Sequence, residues 1–201
     1  MNLMANLHPH ITPEIRKFIE AQHMFFVGSA PNTSDGHVNI SPKGLDSFRI
    51  IDERRVMYVD LTGSAAETIA HIKENGRIVF MFCAFEGPAN IVRLHGEAKV
   101  HQMGSEVFEE CIGEFPNFLS ARAIIQANIH RVSDSCGYAV PFYDYRGQRE
   151  TLLKWADRQG AEALKEYRVK KNQHSIDGLT AFESNSKRNS EKNIEAELEA
   201  I

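Results

Sequence analysis

The segment Asn39 to Gly44, NISPKG, gathers a carboxamide, a hydroxyl and an ammonium group around two residues that interrupt regular backbone, Pro42 and Gly44. Lys43 supplies positive charge, Ser41 a hydrogen bond and the turn its exposed main-chain groups, a set that suits an anionic or carbonyl-rich ligand. A hairpin turn carrying a solvated lysine is the plainer alternative. A second candidate is Asp60 to Thr68, DLTGSAAET, where a strand end, a glycine turn and a helix start expose free N–H groups to a phosphate. No GKS or GKT follows, so this is not a P-loop. A helix capped by Thr62 or Ser64 accounts for the same residues equally well.

Other chemistry-bearing residues are less organised. His8 and His10 lie near the start, and His71, His95, His101 and His130 are scattered without an HExxH or carboxylate-triad pattern, so they read as surface or core histidines rather than metal ligands. Cys136, within DSCGYAVPFY, has no accompanying His or Asp motif and reads as a small buried thiol. Tyr138, Phe142, Tyr143 and Tyr145 could line a flat ligand or close the core; core closure is the simpler expectation.

The elements that must position these groups are mostly strands. Thr12-Pro13-Glu14 predicts a helix start, with Ile15, Phe18 and Ile19 on one face, ending near Gln22. Strands are expected at 24–30 and 37–41, joined by a Pro, Asn, Ser, Asp and Gly turn, and again at 47–51 and 56–61 around the charged turn Asp52 to Arg54. Gly63 to Glu74 switches to helical spacing and stops at Asn75-Gly76. The nearly continuous apolar run 77–85 reads as a central strand buried on both faces. In 89–101, Ile91, Arg93 and His95 alternate with Val92 and Leu94, and Gly96 marks a bulge or bend. A helix over 106–115, a long strand over 121–135 and a helical stretch over 149–169 interrupted near Gly160 complete the pattern. The total is taken as six strands with short inserted helices and no regular strand-helix alternation. That predicts a mainly β (α+β), antiparallel barrel or strongly curved sheet, not a doubly wound one.

At 201 residues the chain has room for one domain with appendages. These are an N-terminal segment 1–11, a barrel domain 12–148, a C-terminal helical segment 149–183 packed on it and a polar tail 184–201 read as mobile. With 42% hydrophobic and 25% charged residues the composition is that of a globular protein. Its 23 Lys+Arg against 27 Asp+Glu give a net charge of −4, which offers no attraction to a phosphate backbone, so no nucleic-acid partner is expected. Three cysteines without CxxC spacing fit a reducing, cytoplasmic setting, and no apolar run is long enough to predict an export signal or a membrane span.

Taken in order, HVNISPKGLDSFRI, VMYVDLTGSAAETIAHIKENGRIVFMFCAFEGP, IVRLHGEAKV and DSCGYAVPFYDY resemble the pyridoxamine 5′-phosphate oxidase-like flavoproteins, most closely a smaller subgroup with SPKG and SCGYAVP segments. The resemblance spans about residues 12 to 180. It implies a six-stranded split β-barrel forming a homodimer, with an FMN in each of two clefts between subunits, and a flavin oxidoreductase acting on a small molecule. By that resemblance the cofactor contacts fall on Asn39, Ser41, Pro42 and Lys43 and on Asp60, Thr62, Gly63 and Ser64, with Lys43 offsetting the negative charge of the reduced ring. No protein nucleophile is implied.

Three departures stand out. The Arg-Lys pair that holds the FMN phosphate in the family's oxidases is replaced by Glu67 and Thr68, and a glutamate repels a dianion. Arg49 and Arg93, with the amides of Ser64 to Ala66, are the replacement candidates, and Thr68 stays in the set. A family glutamine corresponds to Ile91, and the C-terminal substrate motif has no equivalent beyond the nearby Arg146 and Arg149, so vitamin B6 oxidation does not carry over. A deazaflavin in place of FMN, a non-catalytic flavin or haem carrier, and a structural dimer with a decayed site are the other readings.

Overall fold

The computed structural model describes residues 6–182. The chain forms a single antiparallel sheet from β1 (Asn6–His8), β2 (Phe25–Ser29), β3 (Asn39–Lys43), β4 (Phe48–Ile50), β5 (Arg55–Leu61), β6 (Arg77–Cys83), β7 (Ile91–Gln102) and β8 (Ala121–Ser135). The order across the sheet is β3-β2-β6-β7-β8-β5-β4, with β1 added against β8. The sheet therefore has eight strands rather than six. The difference lies partly in the short β1, whose three residues carry no alternating apolar signal and are held by pairing with 132–134.

The sheet curls until its two ends meet through side chains without hydrogen-bonding. Phe25 of β2 packs on Phe48 of β4 with ring centroids 4.9 Å apart, and Phe48 reaches Phe80 and Phe82 of β6 at 5.5 and 5.1 Å. This aromatic plug closes an interior that also contains Val27, Val56, Tyr58, Leu94 and Ile125, giving the split-barrel architecture. Burial follows the two-residue period of strands. Ile78, Phe80 and Phe82 of β6 point inward, whereas Val79 and Met81 are half-buried, so this strand is covered fully on one face only. Gly96 marks a register shift between β7 and β8, and a Cβ there would lie 2.4 Å from the Asn128 carbonyl oxygen. A side chain at that position is excluded by backbone.

Helices fill the ends. In α1 (Pro13–Glu20) the Thr12 hydroxyl accepts from the Ile15 N–H, and Ile15 and Ile19 are buried. Helix α2 (Glu67–Asn75) starts four residues later than its spacing predicts and ends in left-handed Gly76. The helix α3 (Glu106–Cys111) continues as a 3₁₀ turn, Ile112–Glu114. Helix α4 (Thr151–Lys171) is broken at Gly160 (φ 75°) and buries Ala156 and Leu164. No helix among the described residues is long and apolar enough to cross a membrane. The polar tail from Ser184 lies outside the described residues.

Two further expectations change. Cys136 is exposed, not a buried thiol. Tyr138, Phe142, Tyr143 and Tyr145 do not close the core: they are 58%, 79%, 61% and 44% exposed, because the chain after Ser135 leaves the sheet and runs over its rim.

Candidate functional site

Asp60 is the pivot of the site. It lies near the end of β5, whose run Val56 to Asp60 is wholly buried, and is itself 1% exposed. A lone carboxylate there is untenable, and two cations answer it. The Lys43 ammonium donates to Oδ1 at 2.8 Å, and the Arg122 Nε donates to Oδ2 at 2.6 Å. Burial alone would raise the carboxyl's pKa; the charges of Arg122 and Lys43 overcome it and hold the group at about 2.

Backbone geometry explains why both cations arrive. Asn39, Ser41 and Lys43 alternate with outward-facing Ile40 and Pro42 on β3, an edge strand where a proline costs no ladder bond. Lys43 is therefore a strand residue held by an ion pair, not a solvated lysine in a turn. Opposite Asp60 and Leu61, β8 contributes Ala123 and Ala121, leaving Arg122 as the extra residue of a bulge. The bulge turns the Arg122 side chain onto Asp60.

The guanidinium of Arg122 continues to the β5–α2 loop, where Nη2 donates to the Ala65 carbonyl at 2.7 Å. Its Nη1 is buried without a partner among the described residues. Thr62 is anchored by its N–H and its hydroxyl, both to the Ser120 carbonyl at 2.7 and 2.9 Å. From α4 and the turn after it, Arg168 Nη1 donates to the Thr62 hydroxyl at 3.2 Å and Asn172 Nδ2 to the Gly63 carbonyl at 2.9 Å. Neither Thr62 nor Ser64 caps α2: the N-cap position is Ala66, with no side-chain hydrogen bond. Glu67 accepts from the Ile176 N–H at 3.2 Å, and Ser64 is exposed.

A second polar group adjoins β3. Ser41 donates to Asn39 Oδ1 at 3.2 Å, Asn39 Nδ2 donates to Thr68 Oγ1 at 2.9 Å, and Ser29 Oγ meets His71 Nδ1 at 3.0 Å. Burial pushes the His71 pKa down, so its ring is held neutral.

The third feature is a cleft of about 780 Å³ at the end of β3, lined by Pro42, Lys43, Tyr143, Tyr145, Arg146 and Arg149, a volume in the range of small-molecule sites. The segment 143–149 forms its rim. Tyr145 stacks on His23 with centroids 3.5 Å apart, and Tyr143 stacks on Phe85 at 5.3 Å. Gln148 bonds the His23 carbonyl and the Leu45 N–H at 2.8 and 3.1 Å.

The structure thus brings Asn39, Ser41 and Thr68 into one hydrogen-bonded group, joins Lys43 to Asp60, and ties Thr62 and Gly63 to α4 and the turn after it. Arg49 is committed elsewhere, bidentate to Asp46 with an oxygen at 2.6 Å and packed on the Phe115 ring. Arg93 donates to Ser135 Oγ at 3.1 Å. Among the described residues, Arg122 and Arg168 are the cations that reach the β5–α2 loop, and spacing did not single them out. Arg122 carried a signal, a charged residue inside the apolar run ARAIIQA. Arg168 carried none, because its role depends on where α4 docks.

Residues 11–136 match the family described as pyridoxamine 5′-phosphate oxidase. The chain is 34% identical over 198 residues to the pyridoxamine 5′-phosphate oxidase family protein ustO of Aspergillus flavus, covering 90% of this chain and 79% of that one. Among solved structures it is similar to HupZ of Group A Streptococcus (24% identity, TM-score 0.47, 61% of this chain and 91% of that one). It is also similar to the haem storage protein HutZ of Vibrio cholerae (13% identity, TM-score 0.45, 60% and 90%). With the family match extending over most of the chain and a relative matching nearly end to end, this protein belongs to the pyridoxamine 5′-phosphate oxidase family.

Proposed function

We propose that this protein is an FMN-dependent oxidoreductase that works as a homodimer on a small, planar substrate. The observation that carries this reading is the cleft at the end of β3, where a buried Asp60 holds the Lys43 ammonium in the wall and stacked aromatic rings and two arginines form the rim. Flat apolar faces beside fixed cations suit a heteroaromatic ring system bearing negative charge. The residues present fit such a group: Arg122 retains an unused buried donor, and the β5–α2 loop has carbonyls tied down while its exposed end stays open.

When bound, a flavin supplies the hydride-transfer chemistry. Lys43, braced by a carboxylate that stays ionised, contributes a fixed positive charge that favours an anionic ligand. Tyr143 and Tyr145 offer faces for stacking and help exclude water.

Dimerisation is supported by β3 itself. Its outward face carries Ile40, with Val38 just before it, 68% and 72% exposed, and an edge strand with an apolar outer face calls for a cover. A second copy provides one by two-fold symmetry.

The visible spectrum of protein purified without added cofactor, with that of the supernatant after denaturation, tests the reading. Bands near 370 and about 450 nm, released on denaturation, are expected of a flavin. A Soret band near 400 nm would replace it with haem carriage. A colourless protein that ignores added FMN would leave the structural-dimer reading.

A further inference from the structure

Three cations, Lys43, Arg122 and Arg168, converge on the floor beneath the β5–α2 loop, and Asp60 pairs with Lys43 and Arg122. Arg168 has no carboxylate partner among the described residues; its recorded contact is the neutral Thr62 hydroxyl. Burial and the neighbouring Arg122 charge both push its pKa down. Arg122 is answered by Asp60, whereas Arg168 beside it has no carboxylate partner among the described residues, a cost that an anion next to Arg168 relieves.

The loop above them is shaped to receive one. Helix α2 has nine residues and no side-chain cap, so no capping side chain answers its first N–H groups, and the positive end of its dipole lies at this loop. Ser64 and Ala65 are exposed there, and Glu67 is turned onto Ile176. Arg122 is 5% exposed, meets the loop at the Ala65 carbonyl and keeps Nη1 unpartnered, while the wholly buried Asn172 fixes the Gly63 carbonyl from the other side. An uncapped helix start alone would be ordinary; one backed by a buried guanidinium with an unused Nη1 donor and flanked by an arginine with no carboxylate partner among the described residues is a built anion site.

We propose that Arg168, with Arg122 behind it, forms a phosphate-monoester site at the N-terminus of α2. It takes over the task of the Arg-Lys pair that is Glu67-Thr68 in this chain. The flavin reading supplies the identity of the ester; the anion site itself does not depend on it.

Calorimetric titration of FMN, riboflavin and inorganic phosphate into the wild type, Arg168→Met and Arg168→Lys tests this, with urea midpoints confirming that the variants fold. The wild type is expected to bind FMN about 10- to 100-fold more tightly than riboflavin, the range of one or two charge-assisted hydrogen bonds. Arg168→Met should erase most of that ratio while leaving riboflavin affinity unchanged, and Arg168→Lys should keep part of it. Equal binding of FMN and riboflavin by the wild type, or an unchanged ratio in Arg168→Met, overturns the site and leaves the flavin reading standing. If neither flavin binds, phosphate binding that is lost in Arg168→Met upholds the anion site and removes the flavin reading. Absence of phosphate binding as well overturns both.

Discussion

Replacing Asp60 by asparagine removes the carboxylate between Lys43 and Arg122 while nearly preserving shape. The drop of the Asp60 pKa from 3.8 to about 2 corresponds to roughly 2–3 kcal/mol of stability. Because the folded value is depressed, that contribution is complete above pH 4 and is lost as the pH falls toward about 2, where the unfolded chain takes up a proton that the folded one refuses. The substitution also leaves Arg122, 5% exposed, as a buried charge without its partner, so the expected loss near pH 7 is larger, about 3–5 kcal/mol. Urea unfolding of wild type and Asp60→Asn from pH 7 down to pH 2.5 should show a wide gap that narrows below pH 4. Adding Arg122→Met to Asp60→Asn should recover part of the loss, since the stranded charge goes with it. A neutral-pH gap under about 1 kcal/mol, or one that does not change in acid, would refute the assignment of Asp60 as the ion-paired centre of the site.

Three other outcomes follow from named contacts. Gly96→Ala forces a Cβ to 2.4 Å from the Asn128 carbonyl oxygen and should destabilise the β7–β8 pair by about 1–3 kcal/mol in urea; a neutral result would contradict the close approach. Phe25→Ala empties the aromatic plug shared with Phe48, Phe80 and Phe82 and should cost about 3–5 kcal/mol, whereas a loss below 1 kcal/mol would mean that the sheet ends do not meet there. His71, whose pKa burial depresses, should remain neutral by NMR as the pH falls below 6.5 and should weaken the fold over that interval; titration at or above 6.5 would contradict its buried placement.

Much of the architecture was written in local pattern. Thr12-Pro13, Asn75-Gly76, Gly96 and Gly160 act through backbone rules that operate within a few residues, and each does in the structure what its type predicts. Strands with clear alternation, such as 91–95, were equally plain. Residues whose surroundings come from far along the chain were not. Tyr143 and Tyr145 carry an apolar composition suited to a core, but the chain after Ser135 leads them over the rim. Thr62 looks like a helix cap, yet its hydroxyl is drawn to Ser120 across the sheet. The site divides the same way. Asn39, Ser41 and Lys43 share a strand face by a two-residue period, although the strand was expected to end at 41 with Lys43 in the turn beyond it. Arg122 depends on a bulge and Arg168 on the docking of α4, both long-range outcomes.

The most direct test of a flavin held in a dimer is sedimentation velocity of the protein mixed with FMN, followed at 280 nm and, for the flavin, at about 450 nm. The flavin signal should travel with the protein at the mass of two 22.7 kDa chains, one flavin per chain. Flavin absorbance left in the slow, small-molecule boundary while the protein sediments as a single chain would contradict it.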